Sequence, residues 1–229
     1  MKKISVSMTR SETVLGWSYF VFQLLFLGVI LVVINMLLSN PLTETQLNIL
    51  LFFLNFFCIM LIFRKFLWKN LQNTFRAPFV TLKTAGLGFL LYYGSSILIN
   101  ILIFTLDPEF ANVNDSNIDQ MLNENYTLMS ICTVLLVPVA EETLYRGLLF
   151  RGLYNKNALL GYALSTVIFA AIHVVGYIGT YDPYTLLLCF LQYIPAGIFL
   201  GWAYAKADSI WACILIHIAV NQIGILAVR

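Results

Sequence analysis

The sequence predicts an all-α fold: a polytopic membrane bundle of about seven transmembrane helices with its N-terminus in the cytoplasm. Three observations predict it. First, only 10% of the 229 residues are charged while 60% are hydrophobic, and the mean hydropathy is +0.86. A soluble domain carries roughly 25% charged residues, so a chain this poor in charge cannot cover a water-facing surface and needs lipid as its solvent. Second, the apolar residues fall into seven runs, most of them about the roughly 20 residues that a span requires. Third, Lys and Arg occupy alternate connections between those runs, the asymmetry that sets orientation in a bilayer.

The runs cover residues 15–38, 47–63, 85–104, 126–154, 160–178, 184–204 and 209–228. Lipid offers backbone groups no hydrogen-bond partners, so each run is predicted to be a helix that satisfies its own. The fourth is longer than a bilayer needs and is expected to tilt or protrude into the cytoplasm. The basic stretch before the first run is followed by apolar sequence too long for a signal-peptide core, and reads as a first span. No repeat or linker divides the chain, so 1–229 reads as one integral membrane domain.

Lys2, Lys3 and Arg10 precede the first span. Arg64, Lys65, Lys69, Arg76 and Lys83 join the second to the third, Arg151 and Lys156 the fourth to the fifth, and Lys206 the sixth to the seventh. The intervening connections hold Glu44, then Asp107, Glu109, Asp115, Asp119 and Glu124, then Asp182, without Lys or Arg. Seven spans with a cytoplasmic N-terminus require this alternation; Arg229, placed outside, is the one exception. The basic second-to-third connection also contains Trp68, Phe75 and Phe79. It reads either as an interfacial helix on anionic lipid or as an ordinary cytoplasmic loop. The net charge of +2 gives no reason to expect nucleic acid as a partner. Cys58, Cys132, Cys189 and Cys213 lie in apolar runs without C-x-x-C spacing and read as small buried hydrophobes.

Function is signalled by ionisable residues inside the spans. Glu141, Glu142 and Arg146 fall in the fourth, where a charge near the bilayer centre costs on the order of 2.5–3.5 kcal/mol even on the lenient insertion scale. Glu142 and Arg146 are four apart and share a helix face in the favourable order, so they can pair. Glu141 lies about 100° around the helix and is the candidate free carboxylate. Both histidines of the chain are intramembrane, His173 in the fifth span and His217 in the seventh, with Asn221 one turn after His217. Counted from the cytoplasmic ends at 1.5 Å per residue, Glu141, His217 and His173 lie about 15, 16 and 20 Å deep, in one layer near mid-membrane. A lone membrane histidine is most often an interhelical hydrogen-bonding group. Two histidines, an acid pair and an asparagine at one depth favour a reaction site. Ser130, Ser165 and Tyr145 keep the structural reading, although Tyr145 is placed to support Glu141. Pro138, three residues before Glu141, should kink the span and free a carbonyl toward the pocket.

No G-x-S-x-G elbow, intramembrane aspartate pair or H-E-x-x-H motif is present. Water activation remains. A desolvated glutamate suits general-base work near neutral pH, and an imidazole with a carboxamide can donate to a developing oxyanion. Alternatively, Glu141, His173 and His217 hold a zinc ion with an open position for water. The spacing leaves both open.

Glu141-Glu142-Thr143-Leu144-Tyr145-Arg146 reads E-E-x-x-x-R, Phe169 to His173 reads F-x-x-x-H, and His217 to Asn221 reads H-x-x-x-N. In order and separation these motifs resemble the type II CAAX prenyl endopeptidases, also called the CPBP or Abi family of intramembrane peptidases, over residues 127–224. The resemblance implies that Glu141 is the catalytic base, that His173 shares its water, and that His217 and Asn221 line the oxyanion site. Glu142 and Arg146 support them. It implies a glutamate-type endopeptidase without a required cofactor, in a family historically classed as metalloproteases, with zinc as the alternative. The implied partners are a membrane-bound or lipid-anchored peptide or protein substrate and membrane lipid. The implied setting is a bacterial plasma membrane, with pheromone maturation or bacteriocin self-immunity as the role. Two other classes stand beside this: a catalytically silent scaffold regulating a membrane sensor, and a proton-coupled transporter.

Overall fold

The computed structural model describes residues 3–227; Lys2 and Arg229 of the loop-charge pattern lie outside them. The described residues form no strand, and seven of their helices are long and apolar enough to cross a membrane. In chain order these are α1 (Arg10–Met36), α2 (Glu44–Ile62), α4 (Pro78–Leu106), α6 (Tyr126–Tyr154), α7 (Ala158–Val175), α8 (Pro183–Ala207) and α9 (Ile210–Ala227). Two further helices do not span: α3 (Arg64–Arg76), between α2 and α4, and α5 (Val113–Glu124), between α4 and α6. The protein is a multi-pass membrane bundle.

Local chemistry sets several of the helix starts. Thr9 with Glu12 and Thr43 with Gln46 form capping boxes before α1 and α2, each satisfying two orphan backbone donors. Asn112, Asn125, Asn157 and Asp182 cap α5, α6, α7 and α8 through their side-chain oxygens. Helix α8 stops at Asp208, which takes the left-handed conformation at φ 54°, where a short polar side chain is tolerated.

Large apolar side chains such as Val29, Leu61, Leu90 and Leu98 are exposed, as a lipid-facing surface requires. The interior is densest at the end of the bundle near the N-terminus, around Phe63, Phe66, Phe150, Tyr204 and Ile210, each fully buried. There the N-terminal segment is strapped down. Ile4 exchanges two hydrogen bonds with Asn155, the Ser5 amide donates to Asp208 Oδ1, and Glu12 accepts from the Phe66 amide at 2.7 Å. The basic connection is therefore helical: α3 turns Phe66, Leu67 and Asn70 inward and leaves Trp68 and Phe75 exposed. Helix α5 lies at the opposite end and buries only Val113 and Leu122.

Helices α7 and α8 cross closely. An added Cβ at Gly197 would stand 2.5–2.8 Å from Thr166, closer than any side chain can sit, so the crossing requires glycine there. This contact brings α7, with His173, against α8.

Candidate active site

Helix α6 carries the acid pair and is irregular around it. Residues Cys132–Leu136 and Thr143–Phe150 are π-helical, flanking Pro138 and the two glutamates; such segments are frequent at functional sites. The expected carbonyl release occurs, but the carbonyl is taken by a side chain of another helix rather than left free toward the pocket. The Val137 amide bonds to Cys132 O, five residues back. In that register Thr133 O would need the amide of residue 138, and proline has none. Asn221 of α9 fills the gap, its Nδ2 donating to Thr133 O at 2.8 Å.

Glu142 is fully buried, and its Oε1 accepts from Arg146 Nη1 at 3.1 Å and from His217 Nδ1 at 2.9 Å. Arg146, also fully buried, donates through Nη2 to Ala196 O at 3.0 Å. Its guanidinium lies 4.1 Å from the centroid of the Phe169 ring, a cation–π arrangement. The i, i+4 pair read from the sequence exists, but it is one link of a chain that runs Ala196–Arg146–Glu142–His217 across three helices. With a carboxylate as partner, His217 holds its hydrogen on Nδ1 and turns Nε2 outward.

His173 sits in the last turn of α7. Its Nδ1 is 2.7 Å from Phe169 O. A carbonyl can only accept, so Nδ1 carries the hydrogen and Nε2 of the neutral ring is left with a lone pair. The ring lies 4.6 Å from Phe169 and stacks on Tyr193 of α8 at 4.1 Å.

Glu141, His173, His217 and Asn221 line one cavity of about 550 Å³. The sequence placed these residues at one depth; the fold brings them to one space. Glu141 Oε2 is buried with no hydrogen-bond partner among the described residues, consistent with a free carboxylate. Tyr145 packs edge-on against Phe20 and Phe169, and Ser165 bonds to the Tyr145 carbonyl; both are structural. The cavity extends toward α5, where Asn112, Asn114, Asp115 and Asp119 join its wall. Sequence reading missed Tyr193 and the α5 residues, whose only signal was polarity next to a span. Among the described residues no three His, Cys, Asp or Glu side chains are grouped so that they could hold one metal ion.

A family model described as type II CAAX prenyl endopeptidase Rce1-like matches residues 123–223. The matched stretch, less than half of the chain, is similar to that family. It begins at the end of α5 and contains α6, α7, α8 and most of α9, and so every residue of the three motifs. The "UPF0177 protein YxdF" of Lactococcus lactis subsp. lactis (strain IL1403) is 30% identical over 95 residues, 42% of this chain and 47% of that protein. The "Putative membrane peptidase YdiL" of Bacillus subtilis (strain 168) is 30% identical over 100 residues, 43% of this chain and 36% of that protein. The match therefore spans less than half the length of either relative. No solved structure matches.

Proposed function

We propose that the protein is a CAAX-protease-like intramembrane endopeptidase that hydrolyses a peptide bond of a membrane-associated peptide or protein. One observation carries this reading: a free carboxylate, two imidazoles and a carboxamide, from three helices, face a single cavity large enough for a peptide segment. Glu141 takes a proton from a water, and Nε2 of His173, the ring's only lone-pair nitrogen, holds that water. The activated water attacks the substrate carbonyl. The oxyanion forms beside His217 and Asn221; its collapse breaks the C–N bond as Glu141 returns its proton to the leaving amine. Donation from His217 Nε2 while Nδ1 stays on Glu142 requires the imidazolium, which shares the Glu142 carboxylate with Arg146 and so presents a net positive charge to the oxyanion. Asn221 keeps one amide hydrogen for the oxyanion, since only one is committed to Thr133 O. The Rce1-like segment and the peptidase name of the Bacillus relative support this class of chemistry.

The loop charges support a cytoplasmic N-terminus, and the two bacterial relatives support a bacterial plasma membrane as the setting. Peptide-pheromone maturation and bacteriocin self-immunity are the two roles that suit such an enzyme.

The test is cleavage of quenched-fluorescence peptides by the purified, reconstituted chain, comparing wild type with Glu141→Ala, His173→Ala and His217→Ala at matched folded amounts. Loss of about 10²–10³-fold or more is expected for each, the scale of removing one oxyanion donor. Wild-type turnover by Glu141→Ala rejects the mechanism. Activity that persists after stringent chelation supports the metal-free route, and activity abolished by chelation and restored by zinc supports the metal route.

A further inference from the structure

His173 stands where a helix is weakest. It is two residues from the end of α7, in the turn that frays most readily, and among the described residues its side chain hydrogen-bonds only to a carbonyl of its own helix. That bond moves with α7 and fixes the ring only relative to it. The second restraint comes from another element: Tyr193 of α8 stacks on the imidazole at 4.1 Å and 25°, on a ring already flanked by Phe169 at 4.6 Å. The tyrosine is itself held from beyond the spans. Its hydroxyl receives Asn114 Nδ2 at 3.1 Å and donates to Asp115 Oδ1 at 3.3 Å. Its neighbour Gln192 accepts from Asn112 Nδ2 at 2.6 Å and donates to Asn100 Oδ1 at 2.8 Å. Helix α5 thus grips two consecutive residues of α8, mostly through polar contacts, at the wall of the cavity.

We propose that Tyr193 is a positioning residue for His173, and that its hydroxyl ties the orientation of the imidazole to the docking of α5 through Asn114 and Asp115. The catalytic part of this inference rests on the peptidase reading; the structural part does not. Rotation of His173 about its Cβ–Cγ bond would put Cε1 where Nε2 meets the water and would take Nδ1 off Phe169 O. The stack opposes that rotation, because a turned ring would collide with Tyr193, stacked at 4.1 Å, and crowd Phe169 at 4.6 Å. A displacement on the order of 1 Å at a reacting group can cost about 10²-fold in rate, so the aromatic wall has catalytic leverage without touching the scissile bond.

The chain has only two histidines, which makes the test direct. Full-length protein labelled with ¹⁵N-histidine and reconstituted in nanodiscs gives one pattern of ring-nitrogen signals per imidazole, assigned with His217→Gln. In wild type, His173 shows a single tautomer with hydrogen on Nδ1. Tyr193→Leu is expected to give mixed or broadened His173 signals while the His217 pattern, held by Glu142, stays unchanged as a folding control. Tyr193→Phe retains the stack and is expected to keep the tautomer. Asn114→Ala, away from the ring, loosens it partially. In the peptide assay, Tyr193→Leu lowers kcat about tenfold or more with KM within about twofold, and Tyr193→Phe restores most of kcat. An unchanged His173 pattern in both Tyr193→Leu and Asn114→Ala overturns the proposal, as does a loss confined to KM. If Leu at this position also disturbs His217, Asn114→Ala and Tyr193→Phe decide the matter alone. A wild-type protein that cleaves nothing overturns the peptidase reading, and the nitrogen spectra still decide whether Tyr193 positions His173.

Discussion

The Oε1 atom of Glu142 accepts a hydrogen bond from Nδ1 of His217 at 2.9 Å, across 75 positions of sequence. The same oxygen takes Nη1 of Arg146. One buried carboxylate thereby neutralises a fully buried guanidinium and orients an imidazole on another helix. Removing it does two separable things. Glu142→Ala leaves Arg146 as an uncompensated buried charge, a change that typically costs about 3–5 kcal/mol, and is expected to lower the midpoint of thermal unfolding in detergent sharply. Glu142→Gln keeps a hydrogen-bond acceptor but no charge. It still leaves Arg146 without a counter-charge but hydrogen-bonded, so it is expected to lose less stability than Glu142→Ala, with turnover per folded molecule reduced because the imidazolium loses the carboxylate.

Arg146→Lys is predicted not to be conservative. The lysine keeps a charge near Glu142 but cannot donate to both Glu142 and Ala196 O as a planar fork, and it loses the flat contact on Phe169. Because Phe169 O also holds His173, both stability and peptide turnover should fall. A variant with wild-type unfolding midpoint and rate would show that the chain through Ala196 and Phe169 has no mechanical role.

The pairing of Pro138 and Asn221 is testable by a double-mutant cycle. Asn221→Ala strips the Thr133 carbonyl of its donor, a loss of about 1–3 kcal/mol for a buried group left unsatisfied. Pro138→Ala supplies an amide that the π-helical register can direct to the same carbonyl. The double variant should be more stable than the sum of the single effects, with a coupling of about 0.5–3 kcal/mol. Strict additivity in thermal unfolding would mean the freed carbonyl is satisfied in another way.

At the α7–α8 crossing, Gly197→Leu drives a side chain into Thr166. Overpacking of this kind costs typically about 1–3 kcal/mol. It should also push His173 away from Tyr193, so activity is expected to fall further than stability alone explains, read as turnover per folded molecule.

The docking of α5 should depend on pH through Asp115, which lies outside the spans. Burial disfavours its charged form and raises its carboxyl above the usual 3.8, with the hydrogen bond from Tyr193 pulling the other way and Asp119 adding to the rise. A raised acid favours the docked state when protonated. Its contribution is complete below pH 3.8 and is lost as the pH climbs through the raised value. Amide exchange in α5, corrected for the intrinsic pH effect, should therefore show weaker protection at pH 7 than at pH 4, and Asp115→Asn should flatten the difference. Equal protection at both pH values in the wild type would count against the effect.

What the sequence determined follows from short-range rules. Low charge and apolar runs dictate helices in lipid; the fourth predicted span coincides with its helix, and five others differ by up to five residues at an end. Helix α4 is the main departure: it begins at Pro78, seven residues before the predicted 85, because a proline in the first turn starts a helix readily and polar residues at an interface do not end one. Helical periodicity paired Glu142 with Arg146 and aligned His217 with Asn221, and depth counting put the site residues in one layer. Tertiary structure decided the rest: that His217 bonds to Glu142, that Asn221 caps Thr133, and that Tyr193 and α5 close on His173. These contacts link residues far apart in the chain. In lipid they are selected by the need of each buried polar group for a partner, and no local pattern states which helix will bring it.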